Sequence, residues 1–243
     1  MNAAIDILGV RVDPVTYDHV LDIMATWIDQ GGPHQIATVN PEFVMAAQRD
    51  ARFRQTLNSA DLCVADGVGL LWAARILGQR LPERVTGSDL VPLVAREAAA
   101  RGWRVYLLGA APGVADATAA ILVNENPALR VAGSFSGSPS AADSPAIVAS
   151  VRHARPDVLF VAYGAPAQDL WIAEHGAELG VPVMMGVGGA FDHIAGVQRR
   201  APAWIQRVQL EWFYRLVTQP WRWRRQLALP RFVLAMLAAR VRG

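Results

Sequence analysis

Apolar and polar positions form two alternating kinds of segment over the first 190 residues. Short runs that are almost continuously apolar are typical of strands whose two faces are both covered, and longer amphipathic stretches between them are typical of helices. The pattern therefore predicts an α/β fold in which a largely parallel sheet is flanked by helices. The predicted strands are 34–39, 61–65, 103–109, 130–135, 157–163 and 181–187, and the predicted helices are 16–29, 41–57, 67–78, 88–101, 112–124, 144–154 and 167–179.

The pattern changes after residue 198. Four large apolar residues recur at every fourth position and predict an amphipathic helix, while Pro220 and Pro230 divide the remainder into two short segments. We therefore expect an α/β domain over 1–198 and a helical appendage over 199–243. Two interpretations of the appendage stay open, a C-terminal helix docked on the core and a lid or foot that contacts a membrane. The four apolar residues are Trp204, Val208, Trp212 and Leu216.

Composition narrows the class of protein. The chain is 53% hydrophobic and 18% charged, which excludes a disordered chain. No apolar run reaches the roughly 18 residues needed to cross a bilayer, and Asp6 lies where a signal peptide would be basic and then apolar. Cys63 is the single cysteine, which excludes an internal disulfide and agrees with a reducing compartment. We expect a cytoplasmic protein with no transmembrane segment.

Charge is distributed unevenly along the chain. All 23 basic residues are arginines; ten of them lie after residue 198 against one carboxylate, Glu211, so the appendage carries +9 and residues 1–198 carry −7. The appendage also holds four of the eight tryptophans. Arginine and tryptophan together suit phospholipid headgroups, so we expect the appendage to bind an anionic membrane surface. A nucleic-acid-binding module would explain this tail but not the polar residues of an acidic body, and we expect no nucleic acid partner.

Polar residues follow two of the predicted strands directly, where open parallel sheets bind ligands. Thr38 and Asn40 share one face at the end of the first strand, although Asn40 before Pro41 is equally typical of a helix N-cap. Asp66 follows the second strand and precedes Gly67, which directs a carboxylate into the crevice. The alternative is an ordinary Asp-Gly turn.

Two glycine-containing turns follow later strands, at 163–169 and 187–192. Gly188 and Gly189 allow a ligand such as a nucleotide to approach backbone N–H groups, although a simple turn is the alternative. Neither turn completes G-x-G-x-x-G, and a chain without lysine has no P-loop, so dinucleotide dehydrogenases and P-loop NTPases fit poorly.

Metal and hydrolase motifs do not occur. The sequence has no D-x-D, no H-E-x-x-H and no G-x-S-x-G, and its five histidines lack ligand spacing. We therefore expect no metal ion and no other cofactor. His193 beside Asp192 is a candidate base, although a histidine in an apolar chain is more often structural.

Taken together, these segments resemble the WecG/TagA/CpsF family of glycosyltransferases, and the resemblance runs nearly end to end. It is carried by ILGVRVDPVT, TVNPEFV, ADGVGL, RVTGSDL, VYLLGA, YGAPAQDLW, GVGGAFDHIAG and RRAPAWIQRVQLEWFYRLVTQPWRWRR. The family usually has Lys-Gln-Glu where this chain has Ala167, Gln168 and Asp169, so a basic contact is missing there.

The resemblance implies a Rossmann-like domain whose C-terminal appendage completes the active site at the membrane. The implied reaction is inverting transfer of N-acetylmannosamine, its uronic acid or a related hexose from a UDP-sugar to a saccharide on polyprenyl diphosphate, in cell-surface polysaccharide synthesis. It places the protein on the cytoplasmic face of the bacterial plasma membrane. A non-catalytic nucleotide-sugar-binding protein remains the alternative, and homo-oligomerisation stays open.

The resemblance also assigns residues. Asp66 is the implied general base, and Thr38, Asn40 and Gln168 line its pocket. Arg84 in RVTGSDL joins the substrate-binding residues, and Asp192 is both a rival base and a candidate ligand of sugar hydroxyls. Without lysine or D-x-D, the departing UDP needs arginines and backbone N–H groups, for which the appendage offers Arg215, Arg222 and Arg225.

Overall fold

The computed structural model describes residues 3–198, 201–202, 205, 214 and 227–242. The strands are β1 (Ile5–Ile7), β2 (Val10–Val12), β3 (His34–Val39), β4 (Leu62–Ala65), β5 (Arg104–Gly109), β6 (Arg130–Phe135), β7 (Val158–Ala162) and β8 (Val183–Gly186). The helices are α1 (Tyr17–Gln30), α2 (Pro41–Ala47), α3 (Ala51–Ser59), α4 (Val68–Ile76), α5 (Gly87–Arg101), α6 (Val114–Glu125), α7 (Ser144–Ala154), α8 (Ala167–Leu179), α9 (Ala190–Ile194) and, as the last described helix, α10 (Ala228–Arg242).

Six strands form one parallel sheet in the order β4-β3-β8-β7-β5-β6. The six strands predicted from apolar runs are these six, with ends that agree within two residues. The α/β prediction is therefore confirmed. All six carboxyl ends lie along one edge of the sheet, which is the edge where the predicted polar residues occur.

Apolar side chains cover both faces of the sheet. One face packs against α1, α5, α6 and α9, with Ile36, Val158 and Met185 among its buried residues. The other face packs against α2, α3, α4 and α10 at one end and against α7 and α8 at the other. This three-layer packing explains why β4, β7 and β8 are buried along their whole length and do not alternate between apolar and polar residues.

Two local features differ from the predicted elements. An antiparallel hairpin of β1 and β2 precedes α1, and its turn at Leu8 and Gly9 has positive φ at both residues. The helix predicted over 41–57 is two helices, α2 and α3. The break occurs because Asp50 accepts a hydrogen bond from the Phe53 backbone N–H at 3.0 Å and so begins a new helix.

The C-terminal helix α10 packs on the α/β domain. Its Phe232 and Met236 are 1% and 0% exposed and join the core cluster of α2 and α4. Of the two interpretations of the appendage, α10 therefore fits the helix docked on the core. Removal of all residues after 198 would expose the core residues that Phe232 and Met236 cover. None of the described helices is long and apolar enough to cross a membrane.

Candidate active site

Three neighbouring strands bring the first predicted residues together at the carboxyl edge of the sheet. Thr38 at the end of β3 is 4% exposed, and its hydroxyl donates a hydrogen bond to the carbonyl oxygen of Gly186 in β8 at 2.9 Å. β3 pairs with β4 up to Val39 and Ala65, so Asp66 emerges beside Asn40. The carboxyl ends of the paired strands β3 and β4 therefore bring together Thr38, Asn40 and Asp66.

Asp66 lies at the N-terminus of a helix that follows it by 21 residues. Its backbone N–H donates to the Val39 carbonyl at 2.7 Å, and its Oδ2 accepts from the Gly87 N–H at 3.4 Å. Gly87 is the first residue of α5, where the backbone N–H groups carry partial positive charge. The side chain is half-buried. The carboxylate thus sits in an electrostatically favourable place at the edge of the crevice.

A network around Tyr17 positions this end of α5. The Tyr17 hydroxyl accepts from the Thr86 N–H at 2.9 Å and donates to Asp89 Oδ2 at 3.2 Å. Burial raises the pKa of Tyr17 from 10 to about 12, so the hydroxyl stays protonated and able to donate even at pH 10. Arg84 is half-buried one residue before Val85, whose N–H donates to the Ala65 carbonyl. Arg84 therefore lies on the segment that runs beside Asp66.

Asn40 and the Asp-Gly turn meet at Pro41. Asn40 Oδ1 accepts from the Phe43 N–H at 3.0 Å, so Asn40 does cap α2, as the structural alternative predicts. Gly67 has φ of +121°, and a Cβ on Gly69 would lie 2.6 Å from Pro41 Cγ. The glycines let α4 begin against the start of α2 and hold Asp66 close to Asn40.

Gln168 joins two loops beneath the same edge. Its side chain is almost fully buried, and its Oε1 accepts hydrogen bonds from the backbone N–H groups of Gly164 at 3.1 Å and Gly188 at 2.9 Å. A Cβ on Gly186 would lie only 2.5 Å from Gln168 Nε2, so a larger residue there would displace the Gln168 side chain. The sequence predicted that the Gly188 N–H would contact a ligand. In the structure this N–H already donates its hydrogen bond to Gln168 Oε1.

Asp169 ends the 163–169 segment that the sequence singled out, but sequence reasoning assigned it no role. It is fully buried, and neither carboxylate oxygen makes a hydrogen bond of good geometry within the described residues, although the adjacent Gln168 side chain partly offsets the effect of burial on its pKa. Because burial disfavours the charged form, the pKa of Asp169 is raised to about 7. The one signal in the sequence is a carboxylate directly after Gln168 in an otherwise apolar helical face.

Asp192 and His193 lie on the short helix α9. Asp192 is half-buried, with Oδ2 3.7 Å from where a Cβ on Gly189 would be, so it borders the glycine turn. His193 Nδ1 is 3.1 Å from the Gln198 carbonyl oxygen, a contact that gives the ring a structural role. Arg215, Arg222 and Arg225 lie outside the described residues.

Several helices present N-termini to this edge without a side-chain cap. α4, α6, α8 and α9 follow β4, β5, β7 and β8 and have Gly or Pro at the N-cap. Their first backbone N–H groups suit an anion such as a diphosphate. Within the described ranges no three His, Cys, Asp or Glu side chains come together as a metal-ligand group.

The comparison with known proteins identifies the class. The sequence model of the glycosyl transferase WecG/TagA/CpsF family matches residues 5–243, so the chain belongs to this family of glycosyltransferases. A relative from Bacillus subtilis (strain 168) is 35% identical over 211 residues, which cover 87% of this chain and 82% of the relative. A relative from Bacillus spizizenii is 34% identical over 226 residues (93% and 87%), and one from Staphylococcus aureus (strain NCTC 8325) is 31% identical over 240 residues (98% and 94%).

These relatives share one name. Each is an N-acetylglucosaminyldiphosphoundecaprenol N-acetyl-beta-D-mannosaminyltransferase. The resemblance inferred from motifs is therefore confirmed at the level of the family.

Proposed function

We propose that the protein transfers N-acetylmannosamine from its UDP-sugar to N-acetylglucosamine on polyprenyl diphosphate. The names of the relatives contain that acceptor and that sugar, and this chain matches most of the length of each relative. Of the sugars left open by the sequence, they favour N-acetylmannosamine over its uronic acid or another hexose. The observation that carries the proposal is Asp66, held at the carboxyl edge beside Asn40 and the N-terminus of α5.

Asp66 acts as the general base in this proposal. An acceptor hydroxyl gives its proton to the carboxylate while its oxygen attacks the anomeric carbon of the donor. The bond from that carbon to the diphosphate oxygen breaks, and UDP leaves with the electron pair. With an α-linked donor, this single displacement inverts the anomeric carbon and gives the β-linkage named in the relatives.

Charge on the departing UDP requires donors that are already oriented. The uncapped N-termini of α4, α6 and α8 supply backbone N–H groups at the edge. Arg84, Asp192, Gly189 and the appendage arginines 215, 222 and 225 complete the proposed substrate contacts. The crevice between β5 and β7, where successive connections run in opposite directions, is the expected place for the nucleotide.

The outer face of α10 supports membrane association. Leu234 and Leu237 are 67% and 46% exposed, and Val233 is also exposed, while Phe232 and Met236 face the core. Arg231 and Arg240 are exposed on the same helix. A helix with apolar residues outward and arginines beside them suits the headgroup region of a bilayer. We therefore propose that the protein works on the cytoplasmic face of the plasma membrane.

The test of the reaction is transfer from a panel of UDP-sugars to polyprenyl-diphosphate-linked N-acetylglucosamine. Asp66→Asn keeps the size of the side chain but removes the proton acceptor, so kcat should fall by about 10²- to 10⁴-fold with UDP affinity unchanged. Asp192→Asn is the matched control and should mainly change KM. Normal turnover of Asp66→Asn beside a dead Asp192→Asn would move the role to Asp192. UDP binding without transfer would favour the non-catalytic alternative.

The test of membrane association is sedimentation with anionic liposomes. Replacing Leu234 and Leu237 with serine removes two exposed apolar side chains and should weaken binding roughly tenfold or more. The melting temperature should not change, because neither residue is buried. Undiminished liposome binding by this variant would refute the role of α10.

A further inference from the structure

An apolar groove adjoins the candidate active site. α2 and α3 line it with Phe43, Ala46 and Phe53, the Ala165–Pro166 turn forms a second wall, and Ala228 of α10 lies opposite. Pro166 is two residues before Gln168, and Glu42, which also lines the groove, is two residues after Asn40. The groove therefore neighbours the candidate site through the starts of α2 and α8, and Ala228 brings α10 to it.

Two arginines border the same groove. Arg49 and Arg231 are both exposed, and within the described residues neither is paired with a carboxylate. Glu42, in the first turn of α2, also borders the groove. Because α2 has seven residues and is about 10 Å long, Arg49 beyond its C-terminus lies about that far from Asn40. The positive charge of Arg49 thus lies about 10 Å from Asn40, and the apolar lining of the groove lies beside that arginine.

We propose that this groove binds the diphosphate and the first isoprene units of the acceptor. The inference rests on the proposed function, since it needs a polyprenyl-diphosphate substrate. Arg49 and Arg231 contact the diphosphate, and the walls built on Phe43, Ala46 and Phe53 cover the isoprene units.

The size of the groove limits how much lipid it holds. Its volume of about 220 Å³ is below the ~300–1,000 Å³ usual for whole small-molecule ligands. Only a short part of the chain fits, and the remainder stays in the bilayer. α10 lines the groove with Ala228 and presents Leu234 and Leu237 outward, so the lipid leaves the groove beside the proposed membrane-binding face.

Direct binding of farnesyl diphosphate tests the site without any transfer reaction. We expect saturable binding by calorimetry that excess UDP does not displace. Arg49→Ala removes a charged contact and should weaken farnesyl diphosphate binding about tenfold. Ala46→Trp fills the groove and should also weaken this binding about tenfold. Arg52→Ala is the control, because Arg52 pairs with Glu174 on the surface and does not line the groove. If Ala46→Trp lowers the melting temperature, Ala228→Trp narrows the groove from the other wall.

Displacement of farnesyl diphosphate by UDP, or equal binding by the wild type and both groove variants, would overturn the proposal. Kinetics then separate it from the proposed function. Arg49→Ala and Ala46→Trp should raise KM for the lipid acceptor with little change in kcat or donor KM. With an acceptor that carries a methyl group in place of the polyprenyl chain, Arg49→Ala should still raise KM for the acceptor, whereas Ala46→Trp should not. A wild type that binds farnesyl diphosphate in the groove but transfers no sugar would refute the function and not the groove.

Discussion

Replacement of Asp169 by asparagine should stabilise the protein at neutral and alkaline pH. Asp169 is fully buried, its carboxylate makes no hydrogen bond of good geometry within the described residues, and its pKa is raised from 3.8 to about 7. Between these two pH values the folded protein holds a proton that the unfolded chain has released, so stability falls as the pH rises. A shift of about three pKa units corresponds to roughly 4 kcal/mol of lost stability above pH 7.

Asparagine matches the protonated acid in size and removes the titration. We expect wild type and Asp169→Asn to be nearly equal in stability near pH 4, and the variant to gain progressively up to about pH 7. For a chain of this length, 4 kcal/mol corresponds to a rise of roughly 10 °C in melting temperature. Melting temperatures followed by circular dichroism from pH 4 to 8 measure the difference.

Asp22→Asn provides the matched control. Asp22 is exposed on α1, and neutralising it should change stability by no more than about 0.5 kcal/mol at any pH. A stability difference between Asp169→Asn and wild type that does not change with pH would show that Asp169 does not titrate in this range. A variant less stable than wild type at pH 8 would show that the carboxylate is stabilised where it lies.

Two further predictions concern the site. Gly186→Ala would place a Cβ 2.5 Å from Gln168 Nε2, so Gln168 must move and lose its hydrogen bonds to Gly164 and Gly188; we expect a loss of about 1–3 kcal/mol in unfolding free energy and a lower kcat, whereas an unchanged melting temperature and rate would contradict this packing. The absence of D-x-D from the sequence predicts that EDTA leaves the transfer rate nearly unchanged; a rate lost in EDTA and restored by Mg²⁺ or Mn²⁺ would contradict it.

The strands of the sheet were predictable because burial on both faces leaves a direct mark on sequence. Runs such as 61–65 and 157–163 are almost continuously apolar after their first residue, and their observed ends differ by at most one residue. The hairpin of β1 and β2 was not predictable on the same basis. Each strand has three residues, which is too few to show a period of two, and its turn uses Leu8 with positive φ.

Only the residues of the candidate site that lie at or directly after the end of a strand could be predicted from the sequence. Thr38, Asn40 and Asp66 follow from the ends of β3 and β4, and the structure brings them together. The contact of Asp66 with Gly87 depends on how α5 returns to the sheet, 21 residues later in the chain. The burial of Asp169 depends on packing among several elements. Neither property has a local signal in the sequence.

The place of β8 in the sheet bears on the order in which the molecule can assemble. β8 is the last of the described strands along the chain, and it lies between β3 and β7. Before residues 183–186 leave the ribosome, β4-β3 and β7-β5-β6 are separate pieces, each with an unpaired edge that invites association with other chains. The same strand ends in Gly186, which accepts the Thr38 hydrogen bond and leaves room for Gln168. Completion of the sheet and the seating of Thr38 and Gln168 in the candidate site therefore both wait for β8.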